Sequence, residues 1–140
     1  MAFELQATPA AKGGDGVSFT LSEKVVKSVM YKTDTPDDEN SRSNDVSSVL
    51  VIKGVLIQDE EEETKKMAQW SLQSKLPYKN VVVKHTAGKV VIREYKLTSA
   101  FVVDYIEEFA EDKGDGTFTL IIKQKKDKMD EVVIEGGYGA

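Results

Sequence analysis

Residues 46–57 read VSSVLVIKGVLI, and this stretch limits the fold more than any other. It is β-branched and strand-like, yet its apolar residues have both parities. Leu50, Ile52 and Leu56 point one way, while Val49, Val51, Val55 and Ile57 point the other. Side chains alternate across a strand, so this one needs cover on both faces. In a chain of 140 residues, part of that cover is expected to come from another subunit.

The rest of the chain repeats the strand period with one exception. Residues 3–6 alternate, and residues 17–21 alternate again after the Gly13-Gly14-Asp15-Gly16 turn. Residues 24–32 (KVVKSVMYK) are β-rich and mixed on both faces. Residues 80–85 and 89–97 flank the short Thr86-Ala87-Gly88 link and predict a hairpin. Residues 100–109 and 116–126 predict a second hairpin, with Phe118, Leu120 and Ile122 facing inward and Thr119, Lys123 and Lys125 outward. A short strand over 131–135 ends the pattern.

The exception is DEEEETKKMAQWSLQS, residues 59–74. Asp59 is placed to cap a helix whose first turn is rich in glutamate, at the positive end of the dipole. Glu61–Lys65 and Glu62–Lys66 are i,i+4 pairs; Met67 and Trp70 share the buried stripe with Ala68 and Leu72, and Pro77 ends the helix. The expected fold is mainly β: a small β-barrel of two packed antiparallel sheets, with one short flanking α-helix and a long extended loop. By length, residues 1–140 form one domain.

Composition removes several function classes. With no cysteine there are no disulfides, thiolate metal sites or cysteine nucleophiles. The longest apolar run, Val49 to Ile52, is far below the roughly 20 residues of a membrane span, so no membrane insertion is expected. The N-terminus lacks the basic and apolar regions of a secretory signal. A formal net charge of −5 gives no general attraction to phosphate backbones. The basic cluster Lys123, Lys125, Lys126 and Lys128 reads as the solvated end of a strand or a charged interface.

No catalytic constellation is visible, and neither catalytic residues, cofactor nor metal is expected. His85 stands alone beside a turn, and GGDG lacks the lysine and context of a phosphate loop. DDEN at 37–40 and DKGDG at 112–116 lack the spacing of a calcium loop. Asp104 and Glu108 share an expected face with Val102 and Ile106, which suits surface or interface charge better than acid–base chemistry.

The order of elements, with the wording of NSRSNDVSSVLVIKGVL and of YKNVVVKHTAGKVVIREYKLTSAFVVDYIEEFAEDKGDGTFTLIIKQKKDK, resembles the tube-forming proteins of contractile injection machines. These comprise the haemolysin-coregulated protein of type VI secretion, phage tail-tube proteins, and tube subunits of extracellular phage-tail-like particles. The resemblance spans roughly residues 24–136 and implies hexameric rings, stacked into a hollow tube whose inner wall is one shared sheet. It implies sheath and baseplate or spike proteins as partners, with DNA or effector proteins as cargo. Synthesis would be in the bacterial cytoplasm, with the product part of an assembled particle. The bore would be lined by polar positions of residues 80–109 and 116–126; an acidic bore would let a phosphate backbone slide, which a net charge of −5 permits without locating the charge.

A long loop between early strands would then reach the adjacent ring. Here it is residues 33–45, with Asp34, Asp37, Asp38, Glu39, Asn40, Arg42, Asn44 and Asp45 as its polar contacts. Thirteen residues far exceed the usual hairpin connection. The alternative is a monomeric or dimeric β-barrel, a binding module or effector chaperone, with the same segment as a surface loop.

Overall fold

The computed structural model describes residues 1–34, 47–112 and 114–137. In chain order the strands are β1 (Ala2–Pro9), β2 (Phe19–Leu21), β3 (Val26–Asp34) and β4 (Ser47–Leu56). A 3-10 turn (Gln58–Glu60) leads into helix α1 (Glu61–Trp70). Then come β5 (Lys79–Ala87), β6 (Val90–Glu108), β7 (Gly116–Gln124), a second 3-10 segment (Lys126–Glu131) and β8 (Val133–Glu135). Thr33 and Asp34, expected in the long connector, belong to β3, where they pair with Ser48 and Ser47.

The strands form one antiparallel sheet in the order β2-β1-β5-β6-β7-β4-β3, with β8 paired to β6. The 19-residue β6 is its hinge. The near half of β6 pairs with β5 and β8, and the far half, from Ala100, pairs with β7. The expected strands 89–97 and 100–109 are therefore one. What looked like a break is a bend at Ser99, a non-glycine residue at φ 65. Its N–H donates to Asn80 Oδ1 at 3.0 Å, and its carbonyl accepts from Lys125 N at 3.0 Å, so neighbours on both sides hold the unfavourable conformation.

Folded at β6, the two halves face each other over one core. It joins Leu5 and Phe19 from one half to Leu50, Ile52, Leu120 and Ile122 from the other, with Met67 and Trp70 of α1. Tyr31 of β3 stacks on Tyr95 of β6 at 4.8 Å between ring centroids. Gly54 permits the close fit at the end of β4, where a side chain would meet the Val25 carbonyl and the Phe118 ring.

The helix differs in detail from its expectation. Asp59 lies inside the 3-10 turn and does not cap α1; the N-cap is Glu60, with no side-chain capping bond. The glutamates instead fasten the helix to the sheet: Glu60 Oε1 accepts from Ser22 Oγ at 2.8 Å and Glu63 Oε1 from Thr20 N at 3.3 Å. The ion pair recorded on the helix is Glu63–Lys66 at 3.2 Å, an i,i+3 pair. The helix stops at Trp70, well before Pro77, because the indole N–H donates to the Pro77 carbonyl at 2.7 Å and holds the returning chain. Leu72 therefore falls beyond the helix and is 82% exposed rather than part of the stripe.

Candidate assembly surfaces

Half of the sheet is unfinished. Ala100 pairs with Lys79 on one side and Gln124 on the other, and β5 starts at Lys79. Beyond that point residues 101–108 have β7 on one edge and no strand on the other among the described residues. At the opposite margin β3 has a ladder with β4 alone among the described residues. The four-stranded unit β6–β7–β4–β3 thus has an open edge at each side. The β6 edge carries Asp104, Glu107 and Glu108; the β3 edge carries Lys27 and Lys32.

The outer face of this unit can be followed row by row through the registers. One row is Met30, Val51, Ile121 and Asp104; the next is Ser28, Lys53, Thr119 and Ile106. A bulge between Val102 and Asp104 reverses the parity of β6 at Val103. Asp104, Ile106 and Glu108 consequently lie on the outer face, opposite to Val102, with which all three were expected to align. Tyr105 and Glu107 turn to the other side, where the Tyr105 hydroxyl donates to Glu107 Oε2 at 2.5 Å. Desolvation, then the hydrogen bond and charge of Glu107, push the Tyr105 phenol far above its ordinary pKa. The outer face mixes charges, Lys32, Lys53 and Lys123 against Asp104 and Glu108, around a band of Met30, Val51 and Ile121. Three lysines against two carboxylates do not make this face acidic.

The other half is closed by a buried ion pair. Lys79 is 1% exposed; its ammonium donates to Asp15 Oδ1 at 2.6 Å and to the Val17 carbonyl at 2.5 Å. Burial alone would raise the Asp15 pKa, but the Lys79 hydrogen bond and charge and the Val17 N–H outweigh it, holding the carboxyl below its usual value. The contact fixes the β1–β2 loop against β5, and β2 begins only after it, at Phe19.

Beside the Ser99 bend lies a cleft of about 430 Å³, whose lining includes Lys12, Tyr78, Asn80, Lys125, Lys128 and Glu131. Gly13, at φ 78, lets the Tyr78 ring lie against the loop backbone. Lys125 Nζ sits 5.4 Å from the centre of that ring, and Lys128 pairs with Glu131 at 3.6 Å across an exposed gap. The Gln124 amide, 2% exposed, donates to the Thr98 and Lys128 carbonyls.

The predicted charged residues are only partly brought together. Lys125 and Lys128 share the cleft, whereas Lys123 lies on the outer face opposite Val49. Lys126 starts the second 3-10 segment. Asp34 ends β3, and Asp37, Asp38, Glu39, Asn40, Arg42, Asn44 and Asp45 lie outside the described residues. Sequence reasoning missed Lys12, Asp15 and Lys79. Asp15 sits in a glycine-rich turn and Lys79 precedes a strand, so neither pattern signals that 64 residues of chain close between them. His85 stacks on Phe3 at 4.6 Å. Among the described residues no group of three or more His, Cys, Asp or Glu side chains could hold a metal, and no helix is long and apolar enough to cross a membrane.

No protein-family model matches the chain, and no curated protein matches it in sequence. Solved structures match its fold. Hcp1 from Flavobacterium johnsoniae aligns over 98% of this chain and 97% of its own, with a TM-score of 0.55 and 19% identity. A chain in the structure of the anti-feeding prophage baseplate aligns over 96% and 93%, with a TM-score of 0.56 and 11% identity. Hcp1 from Salmonella typhimurium aligns over 86% and 81%, with a TM-score of 0.50 and 12% identity. At such identities the shared property is the fold. The resemblance to tube proteins seen in the sequence thus has a counterpart in the fold.

Proposed function

We propose that the protein is a structural subunit of the inner tube of a contractile, phage-tail-like injection machine. Six copies close into a ring, and rings stack into a hollow conduit for DNA or effector proteins inside a sheath, ending at a baseplate or spike. Its role is mechanical rather than catalytic, and its place is a particle assembled from bacterial cytoplasmic protein.

The observation that carries this reading is the pair of open edges on the β6–β7–β4–β3 unit, with acidic residues on one and lysines on the other. Unpaired strand edges invite pairing with another chain. Because the two edges differ, pairing is heterologous, and heterologous contacts that close give rings. The outer face of the unit then lines the bore. Of the connector at residues 33–45, the part beyond the end of β3 at Asp34 serves as the arm to the next ring, as the resemblance implies. The alternative of a ligand-holding barrel lacks support from the interior, where Phe19, Trp70, Leu50 and Leu120 fill the space between the halves.

Negative-stain microscopy with light scattering tests the proposal directly. Six-membered rings or tubes are expected from purified protein; a monomer persisting at high concentration would overturn it. Deleting residues 37–44 should leave rings intact and abolish stacking.

A further inference from the structure

The edges of the β6–β7–β4–β3 unit restrict how two copies can pair. Each neighbouring pair of strands in the unit is antiparallel, so β3 runs opposite to β6. Copies related by rotation about one axis keep their strand directions along that axis. A ring that joins the β3 edge of one copy to the β6 edge of the next therefore forms an antiparallel ladder at the join. Twofold pairing of like edges is opposed by charge. It would set Asp104, Glu107 and Glu108 against themselves, or Lys27 and Lys32 against themselves.

The faces of the strands then limit the register. Ser28, Met30 and Lys32 lie on the outer face of β3, and Asp104, Ile106 and Glu108 on that of β6. A one-residue slip would turn the outer face of one strand toward the core of the next copy, so only two-residue steps are open. One such register sets Lys32 opposite Asp104, Met30 opposite Ile106 and Ser28 opposite Glu108. A step one way puts Met30 against Asp104; a step the other way puts Lys32 against Ile106 and Met30 against Glu108. Both steps set charges against apolar side chains. The first register instead joins opposite charges, two apolar side chains, and a hydroxyl with a carboxylate. On the inner side it brings Tyr31 opposite Tyr105, an aromatic cross-strand pair.

We propose that β3 of one copy adds to β6 of the next in this register, with Lys32 opposite Asp104 and Met30 opposite Ile106. This rests on the tube reading and names the ladder through which a ring closes. Lys32 and Asp104 are exposed, and neither enters an ion pair among the described residues. Met30 is 53% exposed and Ile106 43%, so the pairing covers apolar surface on both sides. Within one copy Met30 shares its row with Asp104; across the contact Lys32 does, so each copy is stepped along the strands by one row. A sheet that closes on itself requires a stagger of this kind. Beyond Ser28 the ladder leads toward Phe109, 72% exposed beside a groove of about 550 Å³ between α1 and the end of β6. Lys27, exposed at the bulge of β3, comes to the same end, where Glu61 and Glu107 line the groove.

The chain has no cysteine, so introduced pairs report the register directly. Within one copy Met30 and Ile106 lie on strands three spacings apart, roughly 14 Å, too far for a disulfide. A Met30→Cys, Ile106→Cys chain, oxidised under assembly conditions, should give a ladder of linked multimers on a non-reducing gel. Ser28→Cys, Ile106→Cys and Lys32→Cys, Ile106→Cys are each one step out of register and should stay mostly single. A stronger ladder from either overturns the proposal. A linked dimer from Ile106→Cys alone would mean twofold β6–β6 pairing and would overturn it too. Lys32→Asp and Asp104→Lys should each abolish rings in light scattering while circular dichroism stays that of the folded subunit. Combining the two should restore rings; failure of that rescue overturns the Lys32–Asp104 contact. Wild-type rings without the Met30–Ile106 link overturn this inference and leave the tube reading standing; a wild-type monomer overturns both.

Discussion

The half of the sheet built on β1, β2 and β5 and the half built on β7, β4 and β3 share a core but differ at their margins. In the first half, β1 is flanked by β2 and β5, the β1–β2 loop is clamped by Lys79–Asp15, and α1 packs over β2. In the second half, β3 and the far half of β6 each have one edge without a ladder among the described residues, and the outer face carries an apolar band. The contrast separates two uses of the same material. In one half the terminal strand β2 is packed by the chain's own helix; in the other, among the described residues, strand edges and an apolar band stay uncovered.

If that division is right, damage to the closed half should unfold the subunit, while damage to the open half should spare it and stop assembly. The largest effect is expected from Trp70→Ala. It empties the space between α1 and Phe19 and removes the donor to the Pro77 carbonyl. A loss of about 3–5 kcal/mol in chemical denaturation is expected. A loss under about 1 kcal/mol would mean that the helix is not part of the folding core.

Asp15→Asn comes next, because it leaves the Lys79 ammonium buried without its counter-charge. Breaking such a pair from one side costs about 3 kcal/mol. The pH dependence carries a defined sign. The Asp15 pKa is lowered in the folded chain, so its contribution is present above the ordinary carboxylate value and lost as pH falls through the folded one. Wild type should therefore lose this part of its stability below about pH 4. Denaturation midpoints for Asp15→Asn should fall less steeply in that range; parallel pH profiles would show that the pair contributes nothing.

The smallest effect on folding is expected from Asp104→Lys combined with Glu108→Lys on the outer face of the open half. Both residues are exposed, and stability should change by less than about 0.5 kcal/mol. Ring formation, read by light scattering, should nonetheless be lost. Rings that form normally would show that the β6 edge is not an interface.

Much of this division was legible in the chain. The two-faced apolar pattern of residues 46–57 called for cover on both sides, and the structure places β4 between β3 and β7, with Leu50 and Ile52 inward and Val51 and Val55 half-buried outward. The inward face of β7 at Phe118, Leu120 and Ile122 is as its alternation predicts. The bend at Ser99 and the bulge at Val103 were not legible. Ser99 has no glycine to announce its left-handed conformation, and a bulge adds one residue to a run that still looks like a strand. The parity of Asp104 and Glu108, and with it the chemistry of the outer face, turns on that one residue.

The sequence by itself therefore determined the strand periods, the helix and the two-faced apolar pattern of β4, because each follows from local spacing of apolar side chains. Tertiary structure alone decided which edges stay open, which charges meet and where the cleft forms. Those properties depend on contacts between residues far apart in the chain, such as Asp15 with Lys79 and Lys125 with Ser99. No local pattern records such a contact, because its stabilisation comes from burial that exists only once the sheet has folded over at β6.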